Sequence, residues 1–469
     1  MAAQFVMPLF LTRFLSKADY GLYSQFYLIL GFVSAIFAFG IQSNLYYFYP
    51  GKNESEQRTI VQNTFLLLLL FGLLGVLLLF IPFIKTGLIG DGPLLDYFYL
   101  ILINIYLCIP ATIILPLATV RKDKWITIIY PPADVLLKVA LIIPIALYFK
   151  TLYAIFVAIL ILHSVQFVFI LIYLLAKYGR IHITKDAIRL IKQQLAYALP
   201  FGFAVIINTV CQRIDKVICV SFLTPEDYAI YSVAFFGIPG IMQIYDSLCQ
   251  VNVMNMATAF HNNQQSKIID LYKGFVTKTL SFSIPLIIIA IIFAPQIISV
   301  LFTDKYADSV PFFRLYVATF FIAMFGAGTI LRAIGRTTIS MRAFLYAAII
   351  CVPLSYFLIQ QFHIWGAMIS ALVNTILPKI LQMFFEAREL NVNILNLIPV
   401  GKIGTLLRCA IFPLIPIAIL CYYYDISNGL AIGLAALYLL AAYALELKHQ
   451  VFIVSSQKVK TWLKRFYKF

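Results

Sequence analysis

Three charged residues lie close together inside an apolar stretch of the chain. Arg213, Asp215 and Lys216 interrupt the sequence VIINTVCQRIDKVICVSFLTPEDYAIYS, residues 205–232. A charge in the hydrocarbon core of a membrane costs about 2.5 to 3.5 kcal/mol on insertion scales, so each should face a cavity or a partner. Asp215 can neutralise only one of the two neighbouring cations. At least one cation is therefore expected to face the protein interior, where it can bind an anion.

Other charged residues also fall within apolar stretches, and bases outnumber acids among them. Asp134 and Lys138 are spaced i, i+4 and are predicted to pair on one helix face. The excess of positive charge predicts a cationic cavity and an anionic cargo. The candidate substrate-binding residues are Arg213, Lys216, Arg314 and Lys138. The candidate ion-coupling or structural acids, the three clear acids inside the apolar stretches, are Asp215, Asp134 and Asp246.

The remaining polar residues give no sign of enzyme chemistry. The chain has no G-x-x-x-x-G-K-[ST] loop, no H-E-x-x-H, no G-x-S-x-G and no glycine-rich dinucleotide turn. The seven cysteines form no C-x-x-C pattern and are interpreted as small apolar residues. His163 either relays protons or has a structural role. The sequence therefore predicts no catalytic residue, no cofactor and no metal site.

Helices that cross a membrane must position these charges. The 469 residues are 62% apolar and 12% charged, with a mean hydropathy of +0.95, which is far more apolar than a soluble protein. We predict an all-α integral membrane protein, because a span needs about 20 apolar residues. The first of about 14 candidate spans is too short to cross, so the start is expected to be truncated or misassigned. The spans are 1–15, 20–48, 59–84, 94–119, 125–149, 152–177, 195–222, 228–257, 268–294, 309–333, 338–361, 363–386, 404–424 and 427–447.

A repeated turn indicates two related halves. FLSKADYGLYS at 14–24 and FLTPEDYAIYS at 222–232 share Phe, Leu, Asp, Tyr, Tyr and Ser at matching positions. The charged cluster has no counterpart in the first half, where Phe5, Met7 and Pro8 occupy the matching positions. We predict two pseudo-symmetric six-helix lobes followed by a terminal helix pair. The predicted regions are the first lobe 1–177, a cytoplasmic amphipathic linker 178–194, the second lobe 195–386, the terminal pair 387–447 and a basic tail 448–469.

The placement of basic residues predicts the orientation of the chain. Most loop Lys and Arg fall on one side of the predicted spans, and the opposite loops hold only Arg13, Lys17, Lys85, Lys150 and Lys305. The positive-inside rule places the basic loops and both termini in the cytoplasm. The net charge of +16 is thus explained by membrane orientation, and nucleic acid is not predicted as a partner.

The residues also carry a resemblance to a known family. Arg213 to Ser232, with the pattern R-x-D followed by E-D-Y-x-x-Y-S, resembles the seventh-to-eighth span junction of polysaccharide transporters. Its echo from Arg13 to Tyr23 is similar, and so is I-W-G-A-M-I-S-A from Ile364, although this turn departs from the family at Trp365. The chain resembles the O-antigen or capsular polysaccharide flippases (Wzx type), of the exporter superfamily that includes the MATE transporters.

The resemblance implies a specific cargo and mechanism. Undecaprenyl-diphosphate-linked oligosaccharide would move from the inner to the outer leaflet of the bacterial cytoplasmic membrane, by alternating access of two lobes. The resemblance makes Arg213 and Lys216 candidate diphosphate contacts and Asp215 a structural partner or proton carrier. H⁺ or Na⁺ coupling and contacts with membrane lipids are implied, and so are polysaccharide polymerase and chain-length partners.

Other functions stay open at this point. A MATE-like small-molecule exporter would need an acidic cavity for organic cations, whereas bases dominate here. A membrane oligosaccharide polymerase or ligase usually has a large external loop, and the longest outward segment, about 295–310, is too short to form a domain. The third alternative is a flippase for another prenyl-linked glycan.

Overall fold

The computed structural model of the chain is all-helical and describes residues 2–179, 185–238, 241–423 and 428–449. Helices α1 to α9 are Ala2–Phe14, Lys17–Ala38, Asn44–Phe48, Glu54–Leu79, Pro82–Ile89, Phe98–Ala111, Ile114–Val120, Lys124–Phe149 and Leu152–Tyr178. Helices α10 to α20 are Lys185–Phe222, Pro225–Ala234, Ile241–His261, Gln265–Ile292, Ala294–Phe302, Val310–Ala323, Thr329–Ala333, Thr337–Glu389, Val400–Ile411, Leu414–Tyr423 and Asn428–Lys448. Helix α17 consists of two segments, because His363 has the non-helical angles φ 47° and ψ −123°.

The all-helical prediction is confirmed. Within the described residues, nine helices are long and apolar enough to cross a membrane, and one of them, 338–389, covers two predicted spans. Four other predicted spans fall on α1, α10, α11 with α12, and α15 with α16. Helix α1 has 13 residues and α15 has 14, which is less than the length of one crossing. The number of crossings therefore stays a prediction.

The order and length of the helices repeat along the chain. Helix α4 is followed by the short α5, a 3₁₀ turn at Pro93–Tyr97 and the 14-residue α6. Helices α13, α14, a 3₁₀ turn at Asp304–Ser309 and the 14-residue α15 follow in the same order. Pro82 and Pro295 lie in the first turns of α5 and α14, where the fixed φ of proline suits a helix start. This repeated order supports the interpretation that the chain contains two related halves.

The repeated turn found in the sequence has the same local structure in both halves. Ser16 caps α2, with its hydroxyl 3.0 Å from the amide of Asp19 and 2.7 Å from the Asp19 carboxylate. Thr224 caps α11 in the same way, at 3.1 Å from the amide of Asp227 and 2.9 Å from its carboxylate. Each cap satisfies a free amide of the first helical turn, and the acid also favours the positive end of the helix. The shared Asp19 and Asp227 are therefore explained by helix starts.

The two turns also contact each other. A Cβ atom at Gly21 would lie 1.8 Å from the carbonyl oxygen of Pro225, so α2 and α11 approach too closely for any other residue. The hydroxyl of Tyr20 bonds with Ser24 of its own turn and with Ser232 of the other. Glycine at position 21 is therefore required by a close backbone contact.

The chain folds as two compact units. Unit 1 is 1–232 with 352–367, and unit 2 is 233–351 with the residues from 368 on. Helix α10 belongs to unit 1 because it packs against α2, α4 and α5. The predicted boundary between linker and second lobe, 194/195, falls inside α10. The predicted division into lobes stays a prediction, and 180–184 of the linker and 450–469 of the tail lie outside the described residues.

Each unit has an apolar core. In unit 1, the rings of Phe26 and Phe156 stack at 4.2 Å and join α2 to α9. In unit 2, Tyr438 of α20 is fully buried, and its hydroxyl donates to the carbonyl of Ala410 at 3.1 Å. Phe293 and Ile417 belong to the same cluster, so the last two helices pack against the end of α13. Inside a membrane such contacts stabilise each unit by close packing, because lipid is as apolar as these side chains.

Candidate substrate-binding site

The charged cluster of α10 is divided between a buried acid and more accessible bases. Asp215 is only 3% exposed and accepts a hydrogen bond of 2.9 Å from the hydroxyl of Tyr231 on α11. Arg213 is exposed and Lys216 is half-buried. The contact with Tyr231 favours a structural role for Asp215, because it ties α10 to α11. Arg213 is the residue of this cluster whose charge is most accessible.

Arg213 lies against helix α2. A Cβ atom at Gly31 would be only 2.9 Å from its Nη1 atom, so the missing side chain of Gly31 leaves room for the guanidinium. The planar guanidinium offers five donors in a fixed arrangement that matches phosphate oxygens. Sequence reasoning did not find Gly31, because the sequence does not show which helix packs beside α10. The geometry suits a phosphate contact; the predicted binding roles of Arg213 and Lys216 stay predictions.

The predicted ion pair of α8 is confirmed. Lys138 Nζ lies 2.7 Å from a carboxylate oxygen of Asp134, and the two side chains are 27% and 21% exposed. The other carboxylate oxygen of Asp134 accepts a hydrogen bond from Gln166 of α9. Most of the charge of Lys138 is thus offset by its neighbour. This arrangement makes Lys138 a weaker candidate for binding an anion than Arg213.

His163 of α9 is paired within unit 1. Its Nδ1 atom lies 2.7 Å from the side-chain oxygen of Asn104 on α6. Both residues are buried, with 5% and 0% exposed. A buried histidine in a hydrogen bond with an amide joins two helices. This contact favours the structural interpretation over a proton relay.

The other two predicted site residues lie in unit 2. Arg314 of α15 donates from Nε to the carbonyl of Ile291 on α13, at 3.0 Å. Asp246 is exposed on α12. Arg314 therefore joins two helices of unit 2, and its predicted role in substrate binding stays a prediction.

Two acids outside the predicted set are buried in unit 2. Glu386 and Glu446 are both 0% exposed. They lie at the ends of predicted spans, next to the loop residues Arg388 and Lys448, and sequence reasoning did not single them out. Glu446 accepts a 2.7 Å hydrogen bond from Ser281, which joins α20 to α13. The excess of buried basic residues over buried acidic residues is thus smaller than the sequence indicated. The prediction of a cationic cavity therefore depends mainly on the charges of α10.

Glu386 helps to hold an interrupted helix in unit 2. Its Oε1 atom accepts from the amide of Ile330 at 2.8 Å, near the start of α16. The residues between α15 and α16 leave backbone groups without helical partners, and such groups must be satisfied inside a membrane. Three side chains supply donors on the other side of this break. The carbonyls of Ala323, Met324 and Phe325 accept from Lys379 at 3.3 Å, Thr279 at 2.9 Å and Tyr272 at 2.6 Å, respectively.

Comparison with solved structures identifies the fold. A structure of the lipid II flippase MurJ in an inward closed conformation aligns with a TM-score of 0.76 at 14% identity, covering 95% of this chain and 97% of that chain. An inward-facing MATE multidrug resistance transporter of the MOP superfamily aligns with a TM-score of 0.60 at 13% identity, over 83% and 94%. A MOP superfamily transporter from Pyrococcus furiosus aligns with a TM-score of 0.53 at 16% identity, over 83% and 93%. The chain therefore has the fold of these transporters.

Sequence comparison identifies the family. No curated protein matches the chain. Residues 10–311 match the family described as "Polysaccharide biosynthesis protein". This match covers more than half of the chain and includes both repeated turns and the charged cluster of α10. The chain is thus a multi-pass integral membrane protein with the MurJ and MATE fold, and it belongs to the polysaccharide biosynthesis protein family.

Proposed function

We propose that the chain is a flippase for undecaprenyl-diphosphate-linked oligosaccharide, the repeat unit of an O-antigen, capsule or exopolysaccharide. The observation that carries the proposal is Arg213, an exposed guanidinium in the last ten residues of helix α10 of a polysaccharide biosynthesis protein. The similarity to a protein named lipid II flippase supports a lipid-linked cargo. In this proposal Arg213 and Lys216 contact the diphosphate.

The physical argument starts from the cost of moving a diphosphate through hydrocarbon. A wet cleft with a cation lowers this barrier, while the prenyl chain stays in the lipid. Alternating access requires two related halves that move about the site, and the repeated helix order is consistent with such halves. Because the chain has no phosphate-binding loop for a nucleotide, we propose H⁺ or Na⁺ coupling. We also propose that both termini are cytoplasmic in the bacterial inner membrane and that a polymerase and a chain-length protein are partners.

The proposal is tested in a strain that lacks this gene, by measuring surface polysaccharide and undecaprenyl-linked intermediates. Loss of the polymer, with single repeat units accumulating on the inner leaflet, is expected, and the intact gene should reverse both. Arg213→Ala should fail to restore the polymer although the protein reaches the membrane. Arg342→Ala, which removes an exposed base from α17, is the matched control and should restore it.

The alternatives give different results in the same experiment. Single units exposed on the outer leaflet would indicate a polymerase, and long lipid-linked chains would indicate a ligase. Unchanged polymer with altered drug sensitivity would favour a MATE-like exporter. Full restoration by Arg213→Ala would remove the central residue of the proposed site.

A further inference from the structure

Unit 1 contains a basic cleft that is separate from the charged cluster of α10. The cleft has a volume of about 730 Å³ and is lined by the start of α4, the end of α7 and the end of α9. Arg58, Arg121 and Lys177 bring three positive charges into its wall from these three helices, and Glu54 brings one negative charge. All of these residues belong to loops or helix ends that the positive-inside rule places in the cytoplasm.

Arg121 is held in place by aromatic side chains. Its guanidinium lies 5.3 Å from the ring centre of Tyr178 and 6.0 Å from that of Tyr173. The side chain of Tyr178 also hydrogen-bonds with Arg121, and its hydroxyl lies 3.3 Å from the hydroxyl of Tyr49. A cation over an aromatic face is attracted by the negative face of the ring. The direction of the guanidinium is therefore set before any ligand binds.

Arg58 lies next to the turn that follows α9. Gly179 has φ +66°, and a Cβ atom there would lie 3.0 Å from Nη2 of Arg58. The amide of Gln62, which is only 7% exposed, donates to the carbonyl of Tyr178 at 3.3 Å and fixes the same turn to α4. Glycine at this position allows the guanidinium to approach the backbone. Two guanidinium groups are thus positioned at one cleft by contacts on different helices.

We propose that this cleft binds a phosphate group at the cytoplasmic surface of the membrane. Two forked guanidinium groups and a flexible ammonium match the oxygens of a phosphate monoester or diphosphate better than they match a carboxylate of one charge. The phosphate belongs either to an anionic membrane lipid or to a soluble anion. The site does not depend on the proposed transport function.

The test measures ligand affinity with the purified full chain. The probes are dioctanoyl phosphatidic acid, dioctanoyl phosphatidylcholine and inorganic pyrophosphate, with binding followed by thermophoresis in detergent. Phosphatidic acid should bind more tightly than phosphatidylcholine, and Arg58→Ala and Arg121→Ala should each weaken its binding about tenfold, because each removes a charge-assisted contact. Lys124→Ala removes an exposed base that does not line the cleft, and it should leave the affinity unchanged.

Competition between the probes identifies the source of the phosphate. A lipid site is supported if pyrophosphate does not displace phosphatidic acid, and a soluble anion is supported if pyrophosphate binds and the lipid does not. Arg58→Lys and Arg121→Lys keep the charge and should lose less affinity than the alanine variants, which separates the site from a folding defect. Equal affinity of all variants for phosphatidic acid and pyrophosphate, or equal binding of phosphatidylcholine, would overturn the proposal.

Discussion

Replacing Gly21 with alanine should separate the two repeated turns and destabilise unit 1. The added Cβ atom would lie 1.8 Å from the carbonyl oxygen of Pro225, 2.6 Å from its carbonyl carbon and 3.2 Å from its Cα. All three atoms belong to the backbone at the first residue of α11, so no side chain can rotate away. The helices α2 and α11 must therefore move.

The structure sets the size of this effect. Cβ contacts below 3.0 Å are essentially never seen, so the separation must grow by at least the 1.2 Å between 1.8 and 3.0 Å. Overpacking of a well-packed contact costs about 1 to 3 kcal/mol, and rigid backbone atoms place this case at the upper end. Alanine gains up to about 1 kcal/mol over glycine inside a helix. We expect a net loss of about 2 kcal/mol in the free energy of unfolding.

The measurement is unfolding of the purified protein in mixed micelles with increasing sodium dodecyl sulfate. Gly274→Ala is the matched control, because Gly274 is also helical and a Cβ atom there has no neighbour within 4 Å. Gly274→Ala should leave the free energy of unfolding unchanged or raise it slightly, whereas Gly21→Ala should lower it. If Gly21→Ala is as stable as Gly274→Ala, the close approach of the two turns, and the reasoning from it, is wrong.

Three further predictions concern the polar contacts. Gly31→Ala places a methyl group 2.9 Å from Nη1 of Arg213, so the guanidinium should shift, and polymer restoration in the deletion strain should fall while the protein level stays normal. Lys138→Ala leaves Asp134 without its cation. In the same unfolding assay the variant should lose about 1 to 2 kcal/mol of the free energy of unfolding, a value between those of exposed and buried ion pairs. Recovery of stability when Asp134→Asn is added would confirm that the lost pair is the cause. Glu386→Ala should lower the free energy of unfolding by about 2 to 3 kcal/mol, because the amide of Ile330 loses its acceptor. Glu386→Gln keeps an acceptor oxygen and should lower it less. Equal losses in the two variants would contradict the role of Glu386 as the acceptor for Ile330.

Local features of the structure could be predicted from the sequence. The all-helical architecture follows from composition, and the repeated turn predicts related breaks between helices at 14–24 and 222–232. The Asp134–Lys138 pair follows from i, i+4 spacing on a helix. Each of these features depends on residues that are close in the sequence, so helix geometry alone determines them.

Features that depend on packing could not be predicted. Tyr231 was part of a recognised motif, yet its bond with Asp215 requires α11 to turn back against α10. Gly31 gave no signal, because only the position of Arg213 beside α2 gives it a role. Glu386 was not singled out from the sequence, because the interrupted helix that provides its partner is distant in the chain.

The two halves repeat in backbone order but differ in polar chemistry, and this difference favours a cargo with two unlike ends. Arg213 and Lys216 correspond to Phe5 and Pro8 in the repeated turn alignment. Alternating access requires related scaffolds on both sides, because each must move in an equivalent way. A single diphosphate needs a group of cations in only one of the two halves. A lipid-linked oligosaccharide also has two unlike ends, because its prenyl chain and its sugars lie in different surroundings. A repeated scaffold with unrepeated charges is therefore consistent with the proposed cargo.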